Sequence, residues 1–159
     1  MYEYAAETKL CMTGLLAALT ALWGWCGWLW VLWILCLVVD HLMGTVAACR
    51  RGEWSSGAAR AGIWGKLGGM LVVLVTTALD FVVGQVIDSY ALPFAYPMLL
   101  SPVVLAWYVL TEIGSILENA GRLGARLPRF LVRWVAVLEK RVGEVGERTV
   151  SRLGERDED

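Results

Sequence analysis

The chain has 159 residues, of which 58% are hydrophobic and nine are tryptophans, and its formal net charge is −1. A soluble domain of this size would expose much of that apolar surface to water, whereas a bilayer accommodates it and places Trp at the headgroup level. The composition therefore excludes an ordinary soluble fold and predicts a membrane protein with one domain.

The first apolar run extends from Leu10 to Ala48, nearly twice the roughly 20 residues that one helical crossing needs. The stretch WGWCGW interrupts it with Gly24 and Gly27, and glycine weakens a helix interior. The sequence therefore favours a short helix at about 10–23 and a full span at about 28–48. One long tilted helix stays open as the alternative.

Two further spans follow in the sequence. The stretch 50–66 is rich in Gly, Ser and charged residues and predicts a polar loop before a span at about 67–87. After a proline-containing loop, Pro102 predicts the start of a last span at about 103–121, because proline is tolerated in a first helical turn. The prediction is an all-α integral membrane protein with three or four transmembrane helices in residues 1–121.

Residues 122–159 have a different character, since nine of the fourteen Lys and Arg follow Gly121. Arg129 and Arg133 lie near one face of a helix, with Phe130 and Trp134 on another. This pattern predicts a cytoplasmic amphipathic helix at the inner leaflet, where anionic lipids attract it. A solvated linker helix stays open, and the charged tail from about residue 143 is expected to be frayed.

Basic residues at the membrane surface predict the orientation. They are Arg50, Arg51, Arg122, Arg126, Arg129 and Arg133. By the positive-inside rule the 50–66 loop and the C-terminus are cytoplasmic, and the 88–98 loop is outside. Three crossings would place the N-terminus outside and four would place it inside, so its topology stays open.

Polar residues recur along one side of each predicted span, at intervals of three or four. The residues predicted to form an oligomer or pore face are Asp40, Asp80, Glu112, Ser115 and Glu118. Those predicted to allow close helix packing are Gly44, Ala48 and Gly84. Two interpretations stay open: buried polar contacts between helices of one chain, or the lining of a water-filled assembly of many chains.

No catalytic or cofactor-binding pattern is visible in the sequence. The four cysteines lack metal-ligand spacing, and no nucleophile motif or phosphate-binding loop is present. The single histidine, His41, follows Asp40 and is more typical of a local hydrogen-bond partner than of a pH sensor. We therefore expect no enzyme activity, no metal, no cofactor and no nucleic-acid partner.

Two stretches resemble a known family. They are VVDHLMGTVAACRRGEWSSGAARAGIWGKLGGMLVVLV and YVLTEIGSILENAGRLGARLPRFL, and they resemble the phage holin family that includes the clostridial toxin-secretion holins. The matching residues of the first are Asp40, Gly44, Gly52, Glu53, Ser55, Ser56, Gly62 and Lys66. Those of the second are Tyr108, Glu112, Ser115, Ile116, Leu117, Glu118, Asn119, Gly121 and Pro128. The resemblance covers about residues 30–132, and His41 departs from the aromatic residue usual at that position.

The resemblance implies a pore former without enzymatic activity that assembles with itself in the bacterial inner membrane. Its lesions would dissipate the membrane potential and release an endolysin, or a toxin in some relatives. From the residues alone, a small ion channel or transporter subunit using the carboxylates is the main alternative. A membrane scaffold whose tail recruits a partner is the third.

Overall fold

A computed structural model describes residues 9, 10, 12–14, 17, 24–91, 93, 96 and 98–155. All regular structure in these residues is helical. It consists of α1 (Trp25–Arg51), α2 (Ser56–Ser89), α3 (Leu100–Arg122) and α4 (Arg129–Glu155), preceded by helical residues at 9–10, 12–14 and 17. The all-α membrane prediction is confirmed, because α1, α2 and α3 are each long and apolar enough to cross a bilayer. Most of the predicted short helix at 10–23 lies outside the described residues.

The first full span begins where the sequence breaks. Gly24 has φ 54° and ψ −133°, a conformation that glycine adopts readily and other residues resist. Helix α1 starts immediately after it and ends at Gly52, which has φ 70° and lies in the left-handed region. These two glycines give α1 its bounds, slightly wider than the predicted 28–48.

The predicted polar loop at 50–66 is wrong, because only Gly52–Ser55 separate α1 from α2. The Ser55 hydroxyl accepts a hydrogen bond from the backbone N–H of Ala58 at 3.1 Å and caps the start of α2. The glycines and charges of this stretch therefore lie within a helix, and α2 has 34 residues. Glycine is more frequent in membrane helices than in soluble ones, so it was a poor turn signal here.

Helix α3 is the centre of the bundle, since α1, α2 and α4 all pack against it. The core contains Trp33 and Leu37 from α1, Val73 from α2, and Leu105 and Val109 from α3. Helices α1 and α3 run parallel, because Trp33 contacts Tyr108 and, further along, Asp40 meets Asn119. Their basic C-terminal ends therefore lie at the same end of the bundle, hereafter the basic end.

Helix α4 turns back and packs along α3. The Thr111 hydroxyl donates a hydrogen bond to a Glu139 carboxylate oxygen at 2.8 Å, and Gly146 lies beside Val103. The two helices are therefore antiparallel. The tail expected to be frayed from residue 143 is helical to Glu155, and an ion pair between Arg141 and Glu144 at 3.0 Å supports it.

Gly69 allows α2 to approach α3. A Cβ atom added at Gly69 would lie 3.0 Å from the Tyr108 ring, whereas at Gly68 it would meet nothing within 4 Å. Tyr108 cannot easily retreat, because it packs against Trp33 and Trp107. We expect Gly69→Ala to lower the free energy of unfolding by about 1 kcal/mol. Unfolding in mixed detergent micelles measures this, and Gly68→Ala is the matched control. Equal stabilities of the two variants would contradict the tight contact.

Candidate functional site

Two of the predicted carboxylates meet inside the bundle around a lysine. Lys66 Nζ lies 3.0 Å from Asp40 Oδ2 and 2.6 Å from Glu112 Oε2. The three side chains come from α2, α1 and α3 respectively, and each is mostly buried, with exposed fractions of 21%, 14% and 12%. Asn119 Nδ2 donates a further hydrogen bond to Asp40 Oδ1 at 2.9 Å. These four residues are called the Lys66 cluster.

The Lys66 cluster continues toward the basic end of the bundle. Arg122 donates a hydrogen bond to Asn119 Oδ1 at 3.2 Å and lies 3.7 Å from Glu118. Gly44 makes room for this chain of contacts, since a Cβ atom there would lie 3.3 Å from Asn119 Nδ2. Thus Gly44 has a packing role within one chain.

The depth of the Lys66 cluster makes its charges costly. Asp40 lies eleven residues before the end of α1, and Glu112 lies ten residues before the end of α3. At 1.5 Å per residue this is roughly 15 Å from the basic end, below the headgroup level of a bilayer. Charged side chains at such depth are tolerated only when paired or hydrated. The Lys66 cluster provides the pairing, and it carries one more negative than positive charge.

Two clefts flank the Lys66 cluster. The first has a volume of about 240 Å³, and its lining includes Ser115 with Gly65 and Tyr108. The second, of about 220 Å³, is lined by Asp40, His41, Gly44, Ala48, Glu53, Trp54, Ser55, Ala58, Gly62 and Lys66, among others. It therefore leads from the Lys66 cluster to the turn between α1 and α2 at the basic end. Its lining combines the charged groups of Asp40, Glu53 and Lys66 with apolar surface.

Asp80 forms a separate site near the opposite end of the bundle. Its carboxylate accepts hydrogen bonds from Tyr96 Oη at 2.6 Å, Ser101 Oγ at 2.6 Å, Ser101 N at 2.7 Å and Leu100 N at 3.3 Å. Asp80 is 1% exposed. It caps the N-terminus of α3 from another helix, where unpaired N–H groups and the helix dipole favour a negative charge. For Asp80 the structure therefore favours the first of the two interpretations, a buried polar contact between helices of one chain, over a position on an exposed face.

Tyr96, between α2 and α3, contacts Asp80. Burial, followed by the hydrogen bond to the Asp80 carboxylate, raises the pKa of Tyr96 to about 12. At a pH below the ordinary phenol pKa near 10, the raised pKa of Tyr96 stabilises the folded state. This contribution is lost as the pH rises from about 10 to 12. We expect a late-titrating phenolate absorbance that Tyr96→Phe removes. A titration curve unchanged by Tyr96→Phe would contradict the contact.

The remaining predicted residues are not members of these two sites, although Arg122 contacts Asn119 of the Lys66 cluster and Glu118. The Glu118 side chain is 72% exposed, and a Cβ atom at Gly84 would meet nothing within 4 Å, so neither packs closely within the chain. The six basic surface residues are all exposed at the basic end, at Arg50, Arg51, Arg122, Arg126, Arg129 and Arg133.

Sequence reasoning missed the partners of the carboxylates. The sequence pattern predicted Lys66 at the end of a loop, although its position between glycines and an apolar run could have indicated a helix interior. Asn119 was noted only in the motif, and Tyr96 was not singled out. Trp33, at 0% exposure, packs in the core rather than at a headgroup level.

Comparisons with known proteins give a family match and similar bacterial proteins. A family model described as the bacteriophage holin family matches residues 17–140. The chain is 30% identical over 126 residues to the uncharacterized protein BH0965 of Halalkalibacterium halodurans, covering 79% of this chain and 88% of that protein. It is 26% identical over 112 residues to the uncharacterized protein Lmo0128 of Listeria monocytogenes, covering 70% of this chain and 72% of that protein. No solved structure matches. Because the family match extends over most of the chain and includes all three apolar helices, the chain belongs to the bacteriophage holin family.

Proposed function

We propose that the protein is a holin that oligomerises in the bacterial inner membrane. Its lesions dissipate the membrane potential and release an endolysin or a toxin. The observation that carries this proposal is the Lys66 cluster, a set of charged groups held at membrane depth beside two clefts. Such groups are paired in one chain and can become hydrated when several chains assemble.

The outer surface of α1 and α2 supports insertion in lipid. The large exposed apolar side chains there include Trp28, Leu32, Leu35, Val38, Leu42, Leu71, Leu74, Val75 and Val82. Many exposed large apolar side chains on two apolar helices are typical of membrane contact. A single chain thus keeps the Lys66 cluster and Asp80 inside and presents apolar side chains on this surface.

Small and acidic residues supply the proposed face between copies. Gly84 and Glu118 have room for a neighbour, and Ser115, Asp40 and Glu112 border the clefts. Close approach of helices at small residues is the usual mode of association in membranes. Asp80 is not part of this proposed face, because its hydrogen bonds are made within the chain.

The orientation follows from the exposed arginines. Those at the end of α1 and around the α3–α4 connection place the basic end in the cytoplasm by the positive-inside rule. The connection between α2 and α3 then lies outside. The endolysin or toxin is a functional partner that passes through the lesion, and membrane lipids and further copies of the chain are the direct partners.

The test is inducible expression in a bacterial host with a potential-sensitive dye and a co-expressed cytoplasmic endolysin. We expect delayed, abrupt depolarisation together with release of the folded endolysin. Selective ion current without endolysin release would instead favour a small channel, which the charged clefts also suit. A stable potential with abundant inserted protein would exclude both.

A further inference from the structure

Helix α4 lies at the level of the membrane span α3, not beyond its end. The Thr111–Glu139 hydrogen bond joins the two helices, and a Cβ atom at Gly146 would lie 3.5 Å from Val103 Cγ1. Val103 is in the first turn of α3, at the end opposite the basic end. The stretch 131–146 therefore extends along most of the length of α3.

The composition of α4 does not suit a lipid-exposed span, and α4 is absent from the three helices apolar enough to cross a bilayer. One face packs on α3 and contains Leu131, Val135, Leu138 and Val142, with Val135 at 8% exposure. The opposite face carries a charged stripe within a sector of roughly 60° at about 100° per residue. The charged stripe consists of Arg129, Arg133, Lys140, Glu144 and Glu147.

The position of α4 alongside α3 and the charged stripe on its opposite face conflict if a continuous bilayer surrounds both helices. If α3 crosses the membrane, Lys140 and Glu144 lie at hydrocarbon depth on the side of α4 away from α3, and Glu147 follows near the far end of the span. Each charge in lipid costs about 2.5–3.5 kcal/mol or more. The conflict disappears if that side of α4 faces water. The flank beside the stripe carries exposed Trp134 and Val145 together with Arg141 and Arg148, and it can contact a neighbouring chain.

We propose that α4 lines the aqueous lumen of the assembled lesion. It packs on α3 as in this structure and presents its charged stripe to water. Before assembly the same helix lies on the cytoplasmic surface, where its amphipathic pattern suits the headgroup region. This inference rests on the proposed holin function and names the element that hydrates the lesion.

A disulfide between α3 and α4 tests the position of α4. A Cβ atom at Gly146 would lie 3.5 Å from Val103 Cγ1, and a cysteine at residue 103 can place its Sγ where that Cγ1 now lies, so the two positions are suited to a bridge. In a chain whose native cysteines are replaced, Val103→Cys with Gly146→Cys should cross-link several-fold more after depolarisation than before. Val103→Cys with Glu147→Cys, which is on another side of α4, is the control pair and should not respond.

Three outcomes decide the inference. Cross-linking that rises with depolarisation supports it. Depolarisation and endolysin release without cross-linking overturn it while leaving the holin function intact. Cross-linking that is complete before depolarisation overturns the surface-bound state of α4. Absence of depolarisation in the native chain is a failure of the holin function instead.

Accessibility to a charged thiol reagent gives an independent measurement. In membranes that carry open lesions, Lys140→Cys on the charged stripe should react with a charged methanethiosulfonate, and Val142→Cys on the α3-facing side should be protected. Equal reactivity at both positions would show that α4 is detached from α3 and would overturn the proposal, even where the cross-linking variants fail to fold.

Discussion

Lys66→Met should destabilise the chain by about 3–5 kcal/mol, because it leaves Asp40 and Glu112 buried without their shared cation. Both carboxylates now lie within 3.0 Å of Lys66 Nζ. Without it, their charges must repel each other at membrane depth or bind protons. Methionine is about as long as lysine and keeps its apolar stem. The loss of stability therefore measures the removal of the positive charge and not the creation of a cavity. Unfolding in mixed detergent micelles measures the change.

Two variants make this result specific. Arg60→Met, on the exposed side of the same helix, should change stability by no more than about 0.5 kcal/mol. Combining Lys66→Met with Asp40→Asn and Glu112→Gln should restore most of the lost stability, because neutral groups need no counter-charge. If Lys66→Met were no more damaging than Arg60→Met, the Lys66 cluster would not contribute to the folded state.

The spans were predictable because their signal is local. An apolar run of sufficient length is visible in the sequence, and Gly24 marks a break that needs no tertiary information. The start of α2 was missed because Gly57, Gly62 and Gly65 indicated a turn, whereas the Ser55 cap and the surrounding alanines favour a helix. Propensity is a weak guide where packing and lipid decide.

The sites were only partly predictable because their partners lie on other helices. The spacing of Asp80, Gly84 and Asp88 correctly puts them on one side of α2, but the structure buries Asp80, leaves open space at Gly84 and exposes Asp88. The spacing of polar residues predicts which side of a helix they share, but it does not predict which neighbouring element covers that side. In the same way, hydropathy placed α4 on the membrane surface, and only its contacts with α3 suggest a second position.

Asp80→Ala should lower the free energy of unfolding by about 3–4 kcal/mol, since it leaves several buried donors without an acceptor. The donors are the Tyr96 hydroxyl, the Ser101 hydroxyl and the N–H groups that begin α3. Asp80→Asn keeps the shape and one acceptor oxygen but loses the negative charge at a helix N-terminus. It should therefore show an intermediate loss.

Asp88→Ala is the matched control, because Asp88 is exposed two turns further along α2. Its effect on stability should be small. Asp80→Ala should also release the connection at 90–99 from the bundle, so protease cleavage there should increase in Asp80→Ala and not in Asp88→Ala.

Because Asp80 caps α3 and the Lys66 cluster pairs α3 with α1 and α2 nearer the other end, the two sites fix the same helix independently. Losses from Asp80→Ala and Lys66→Met should therefore add, and a markedly smaller combined loss would contradict the independence of the two sites.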